Sequence, residues 1–197
     1  MTLPNKLTVG RMILSPIFFI LYVFTVRSES ILLQGMVALW VIQIISEVSD
    51  VLDGHVARKY NLVSDMGKIM DPFSDVISRV TYFVCFTYTG LMPLWALMII
   101  LWREFSIMFI RMVLAKEGTA LAAKWGGKAK AVFYFISGIF GLFVLTMKSL
   151  GSLAYMAELT MISRILFILA ALSSLLSFIE YFVLFLKTDT MKQFIRE

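Results

Sequence analysis

Long apolar runs alternate with short polar ones along the 197 residues, and the runs have helical length. Predominantly apolar stretches at Met12–Val26, Ile31–Ser46, Asp71–Thr89, Leu94–Ala115, Ala131–Met147 and Met161–Leu186 predict six helices long enough to approach or span a bilayer. The second can continue as helix beyond Ser46. "TGLMP" (Thr89–Pro93) breaks the pattern with Gly and Pro and predicts a tight turn between the third and fourth helices. Period-two alternation, internal repeats and low-complexity tracts are absent. The pattern predicts an all-α integral membrane protein of one domain, residues 1–197. "MTLPNKLTVGR" sets Leu3, Leu7 and Val9 beside Lys6 and Arg11, and predicts a short N-terminal amphipathic segment lying along the interface.

Composition agrees with lipid as solvent. Hydrophobic residues make up 60% of the chain and the mean hydropathy is +0.88, more apolar surface than a water-soluble domain of this length needs. The single cysteine, Cys85, excludes a disulfide framework and a Cys-based metal site, and lies in an apolar run as a packing residue. The first helix follows Lys6 and Arg11 as a signal peptide would, but no small-x-small cleavage site follows it, so it is expected to remain in the chain. The formal net charge of +5 suits an anionic leaflet rather than nucleic acid, because the charges cluster at helix ends. With the N-terminus inside, Lys6, Arg11, Arg58, Lys59, Lys68, Lys116, Lys124, Lys128, Lys130, Lys187, Lys192 and Arg196 fall on the cytoplasmic side. Arg27, Lys148 and Arg164 fall outside. This bias places both termini in the cytoplasm.

Against that background, the carboxylates near residues 50–75 stand out. On a helix, Asp50, Asp53, Gly54 and Ala57 form one stripe, and Gly67, Asp71 and Asp75 form another on the next helix. "KYNLVSD" between them is polar enough to turn. If the stripes face each other, four carboxylates converge. A carboxylate in a membrane helix costs roughly 2.5–3.5 kcal/mol on insertion scales, and like charges add repulsion. Divalent cations remove both penalties. Hard oxygen donors with no neighbouring soft ligand select Mg²⁺, Mn²⁺ or Ca²⁺, and four carboxylates suffice for two ions sharing bridging ligands. Gly54 and Ala57 leave room for phosphates, with which Arg58 can pair. A solvated acidic loop or a set of intrahelical ion pairs explains this spacing less well.

The segment reads D-x2-D-G-x2-A-R-x8-G-x3-D-x3-D from Asp50 to Asp75, and it resembles the signature of the CDP-alcohol phosphotransferases, which make phospholipid head groups. All eight positions match. The resemblance implies six transmembrane helices, a homodimer in the cytoplasmic membrane, two divalent cations (Mg²⁺ or Mn²⁺) and a cavity open to cytoplasm and membrane. It implies that Asp50, Asp53, Asp71 and Asp75 are metal ligands and that Asp75 is also the general base. It further implies that Asp53, Gly54, Ala57, Arg58 and Gly67 hold the CDP part of a CDP-diacylglycerol. An acceptor hydroxyl would attack the β-phosphorus and CMP would leave, without a covalent intermediate.

Further pieces resemble the phosphatidylglycerophosphate synthase branch of that family. They are "NKLTVGRMILSPIF" (N-x-L-T-x-x-R-x4-P), "REFSIMFIR" (R-E-x6-R), "GKAKA" (G-K-x-K-T, with Ala131 for Thr) and "SFIEY" (S-x3-Y). The branch implies glycerol 3-phosphate as acceptor. One departure is "DPFSDV", where the usual lysine after the fourth aspartate is Val76; Arg79, one turn on, is the nearby basic residue. Arg79 and Arg111 lie within apparent spans, where cations are costly and usually functional, and with Lys128 and Lys130, which begin the fifth helix on the same side, they are the candidate acceptor-phosphate ligands. Arg103 and Arg111 have a competing reading as ion-pair partners of Glu104, Glu47 or Glu180. Glu47 is expected in an ion pair or helix contact, and Gly138 and Gly141 in close helix packing. Another acceptor (inositol phosphate, inositol, serine or phosphatidylglycerol) is the alternative within the enzyme class. A divalent-cation transporter is the alternative outside it.

Overall fold

A computed structural model describes residues 2–28, 32–60, 65–116, 125–151, 155–188 and 191. Six helices follow one another: α1 (Leu3–Arg27), α2 (Leu32–Lys59), α3 (Asp65–Tyr88), α4 (Leu94–Lys116), α5 (Trp125–Ser149) and α6 (Met156–Leu186). No strand occurs among the described residues. α1, α2, α5 and α6 contain windows long and apolar enough to cross a membrane. α3 and α4 have similar length but carry more charge, Asp71, Asp75 and Arg79 on the former and Arg103, Glu104 and Arg111 on the latter.

The polarity is that of a protein dissolved in lipid. Large apolar side chains such as Leu33, Trp102, Phe109, Leu172 and Leu176 are exposed, whereas Arg11, Gln43, Arg103, Glu104 and Lys130 are buried. Buried polar groups then hold helices together where water competes little.

On α1 the buried residues are Pro4, Thr8, Arg11, Ser15, Phe18, Tyr22 and Thr25, at alternating steps of four and three. That seam keeps one face of a long helix against its partners. The first three turns, expected as a separate interfacial segment, are continuous with the rest of α1, and Thr8 and Arg11 point into the bundle. The seam is polar at one end and aromatic at the other. Ser15 Oγ donates to Arg11 O and lies 2.9 Å from Ser78 Oγ on α3. Deeper, Phe18 meets the Tyr82 ring with centroids 4.5 Å apart, and Tyr22 OH lies 2.7 Å from Thr89 Oγ1.

The expected turn at residues 89–93 is present. Gly90 adopts φ +75°, Leu91 N–H donates to Phe86 O and Gly90 N–H to Thr87 O. These are the two bonds of a Schellman cap, and Phe86 and Leu91 supply its apolar contact in the core. The cap reverses the chain so that α4 descends beside α3.

Packing divides the molecule into two halves. α1 packs on α2 and α3, and α6 packs on α5 and α4, while α3 joins α4 and lighter contacts link α2 and α3 to α5. A core of Phe18, Tyr22, Phe83, Phe86, Tyr134, Leu142 and Phe167 runs through both halves, and Cys85 is buried in it as packing. Gly141 permits a close approach: a Cβ there would stand 3.1 Å from the Phe86 ring.

Candidate active site

Two polar clusters occupy neighbouring positions, one in each half. The first gathers the aspartates. Arg11, 3% exposed, projects from α1 between α2 and α3. Its Nη1 donates to Asp50 Oδ1 at 2.5 Å and to Asp75 Oδ1 at 2.9 Å, and its Nη2 donates to Asp53 Oδ2 at 2.7 Å. Thr8, one turn earlier, donates from Oγ1 to Asp71 Oδ1 at 2.8 Å, with Asp53 Oδ2 at 3.3 Å. Ser74 Oγ donates to Thr8 O at 3.3 Å and fixes the register of α1 on α3. The two stripes do face each other, and all four aspartates converge on one residue pair of α1. Gly54 and Gly67 lie on the same helices, partly and fully buried. The side chains of Ala57 and Arg58 lie outside the described residues, as do residues 61–64, where the sequence predicts a turn.

Charge within this cluster is unbalanced. One guanidinium serves three of the four carboxylates, and Arg79, 3.7 Å from Asp75 Oδ2, adds a second cation at the rim. The oxygens are hard donors that already surround a cation, and more positive charge would stabilise them. Asp50, Asp53, Asp71 and Asp75 therefore suit divalent cations of the Mg²⁺ or Mn²⁺ kind. Among the described residues, no three acidic, His or Cys side chains are gathered tightly enough to hold a metal as they stand. Arg11 lies among the same oxygens and bridges three of the carboxylates.

The second cluster has the reverse polarity. Glu104 of α4, 8% exposed, accepts from Lys130 Nζ at 2.6 Å, from Arg103 Nη1 at 3.0 Å and from Tyr134 OH at 3.0 Å. Tyr134 OH lies 2.8 Å from Ser174 Oγ, and Arg103 Nη2 donates to Ser177 Oγ at 3.0 Å. The Arg103 guanidinium stands 5.9 Å from the centre of the Tyr181 ring. The "SFIEY" motif thus supplies Ser177 and Tyr181 as two supports for one arginine. Gly126 and Gly127 let the start of α5 approach α6, since a Cβ on either would meet Glu180 or Tyr181.

A cavity of about 270 Å³ lies between the clusters. Arg79, Arg111, Lys128 and Lys130 all line it, as do Arg103 and Glu104. Asp75 is the aspartate of the set that faces it. Lys130 is not a free cation in this wall: it is 6% exposed and tied to Glu104. Of the readings open for Arg103, the ion pair with Glu104 is the one observed. Glu47 faces Arg79 in two smaller spaces nearer α2.

Thr8, Arg11, Glu104, Tyr134 and Ser177 belong to these clusters without having been assigned a site role from sequence. One signal was available: Thr8, Arg11 and Ser15 are polar at consecutive seam positions of an apolar helix, which calls for polar partners.

The helices, paired acidic stripes and basic cavity are those of a chain that belongs to the CDP-alcohol phosphatidyltransferase family, whose model it matches over residues 1–176. It is 36% identical over 135 residues to a Bacillus subtilis protein named CDP-diacylglycerol–glycerol-3-phosphate 3-phosphatidyltransferase, covering 65% of this chain and 69% of that one. A Treponema pallidum protein of the same name is 43% identical over 86 residues, 44% of this chain and 40% of that one. A Streptomyces coelicolor protein named cardiolipin synthase (CMP-forming) is 30% identical over 118 residues, 60% of this chain and 54% of that one.

Proposed function

We propose that this chain is a CDP-diacylglycerol–glycerol-3-phosphate 3-phosphatidyltransferase, which makes phosphatidylglycerophosphate and CMP. The observation that carries the reading is the position of Asp75. It shares Arg11 with Asp50 and Asp53 and also faces the cavity lined by Arg79, Arg111 and Lys128. A base there stands between a metal- and pyrophosphate-binding side and a phosphate-binding side. The names of the Bacillus and Treponema relatives support the same reaction.

In this reading Asp50, Asp53, Asp71 and Asp75 hold two divalent cations, which when bound neutralise the pyrophosphate and the departing CMP. Asp53, Gly54, Ala57, Arg58 and Gly67 seat the CDP moiety. Arg79, Arg111 and Lys128 take the phosphate of glycerol 3-phosphate, and Lys130 contributes while held in place by Glu104. The acceptor hydroxyl gives its proton to Asp75 as its oxygen bonds to the β-phosphorus. The bond from that phosphorus to the bridging oxygen breaks, and CMP carries the electron pair away. Six spanning helices, one domain, a homodimer and a cytoplasmic-facing site in the inner membrane complete the proposal. The excess of basic residues at one end supports that orientation.

An acceptor panel tests it. Purified protein with CDP-diacylglycerol and Mg²⁺ is expected to release CMP with glycerol 3-phosphate, and much more slowly with serine, inositol, inositol phosphate or phosphatidylglycerol. CMP release that depends on phosphatidylglycerol instead would reassign it to the reaction for which the Streptomyces relative is named. Ion flux in liposomes without CMP release would favour a transporter.

A further inference from the structure

A second cavity, about 260 Å³, lies between α2, α3 and α5 and shares Arg79 and Tyr134 with the first. Gln43, Glu47 and Tyr82 line it as well. Its polar groups are poorly served from within the protein. Gln43 is 1% exposed and Tyr82 3%, yet Gln43 Oε1, Tyr82 OH and the nearby Ser46 Oγ make no well-formed hydrogen bond among the described residues. The two hydroxyls have at most each other. A buried polar atom left unpaired costs about 1–3 kcal/mol. The space is several times that of one water molecule, roughly 30 Å³ in the liquid, so it admits a small polar group together with or in place of water.

The lining holds both kinds of group: Gln43 Oε1 and the Glu47 carboxylate accept, Tyr82 OH donates or accepts, and Arg79 donates. A hydroxyl, which donates and accepts at one atom, matches that set; an ester carbonyl, which only accepts, leaves Gln43 Oε1 without a donor. A third, narrow space is lined by Asp75 and also by Glu47, Arg79 and Tyr82 of this cavity, so the surroundings of the base and of this cavity adjoin. Arg111 and Lys128 line the first cavity and not this one, while Arg79 lines both.

We infer that Gln43, Glu47 and Tyr82 form a hydroxyl subsite, which binds the non-reacting hydroxyl of a polyol phosphate acceptor and selects it over a simple alcohol phosphate. The inference rests on the acceptor reading above. It assigns that substrate's free hydroxyl to side chains outside the aspartate signature and outside the basic cavity wall.

The test compares sn-glycerol 3-phosphate with 3-hydroxypropyl phosphate, which keeps the phosphate and one terminal hydroxyl but lacks the middle one. CMP release is measured for both with CDP-diacylglycerol. Wild type is expected to prefer glycerol 3-phosphate in kcat/KM by at least about 10-fold, because a site built to bond a hydroxyl is left with unpaired groups when it is missing. Gln43→Leu and Tyr82→Phe should each lower kcat/KM for glycerol 3-phosphate several-fold and leave 3-hydroxypropyl phosphate within about twofold, so the preference collapses. The analogue's own rate reports whether a variant is folded, and Tyr82→Phe changes a single oxygen. Equal use of both acceptors by wild type, or equal losses on both in the variants, overturns the subsite while glycerol 3-phosphate stands as acceptor. Wild type that uses neither overturns the acceptor reading and the subsite with it.

Discussion

Each half of the molecule buries a charge among opposite charges, and the two arrangements differ in how nearly they balance. In the α4–α6 half, one carboxylate, Glu104, meets Lys130, Arg103 and Tyr134; Arg103 is supported by Ser177, Tyr134 by Ser174, and Lys130 lies over the Tyr134 ring. Glu104, Arg103 and Lys130 are all less than a tenth exposed. In the α1–α3 half, the Arg11 guanidinium meets three carboxylates and the Thr8 hydroxyl the fourth, and Asp50 and Asp75 remain about a third exposed. The first cluster is closed and nearly satisfied, which suits a support. The second is open and short of positive charge, which suits a site that takes up cations. Arg79, Arg111 and Lys128, on the cavity between them, retain positive charge that an anionic substrate can use.

The largest effect should come from supplying or withholding that positive charge. Chelation with EDTA should reduce CMP release to background, and Mg²⁺ or Mn²⁺ should restore it; full activity with no metal bound would break the contrast. Next comes the residue common to both sides. Asp75→Asn keeps an oxygen ligand but loses the base, and turnover should fall roughly 10²–10⁴-fold, with binding of CDP-diacylglycerol largely kept in a direct binding assay.

Stability separates the clusters further. Glu104→Gln leaves Lys130 and Arg103 buried without a counter-charge, and should cost about 3–5 kcal/mol. Added Mg²⁺ should raise its stability only as much as it raises the wild type's, about 2.7 kcal/mol at one hundred times its Kd, because the aspartates are unchanged. Arg11→Gln should also lower the melting temperature in EDTA, but here Mg²⁺ replaces the missing cation and its stabilising effect should exceed that on wild type. Thermal melts of wild type and both variants with and without Mg²⁺ check this, and a gain over wild type that is the same in the two variants would erase the distinction. The smallest change is Trp40→Phe, far from either cluster. It removes the hydrogen bond to Thr146 Oγ1 and should cost about 1 kcal/mol without altering the KM for either substrate.

Much of this was legible from sequence because it is written in local spacing. The apolar runs predict the helices, Gly90 and Pro93 predict the α3–α4 reversal, and the steps between Asp50 and Asp53 and between Asp71 and Asp75 predict two facing acidic stripes. Helix starts were less legible. α3 begins at Asp65 and α5 at Trp125, each six residues before the apolar run that predicts it, because charged turns extend helices beyond their uncharged centres. Partners across helices were legible least. Arg11 counts as a basic residue near a helix start, and nothing within α1 says that three aspartates from α2 and α3 surround it. Lys130 likewise reads as a free phosphate ligand, since Glu104 lies on another helix.

The division of labour between the halves is tested most directly by steady-state kinetics of Arg111→Ala, with each substrate varied in turn. Arg111 lines the basic cavity from α4, whereas the four aspartates belong to α2 and α3. Losing one charge-assisted hydrogen bond, about 1.5–3 kcal/mol, should raise the KM for glycerol 3-phosphate roughly 10- to 100-fold and leave that for CDP-diacylglycerol within about twofold. Equal increases in both values would contradict the account, because the basic cavity would then not be the acceptor's own side of the site.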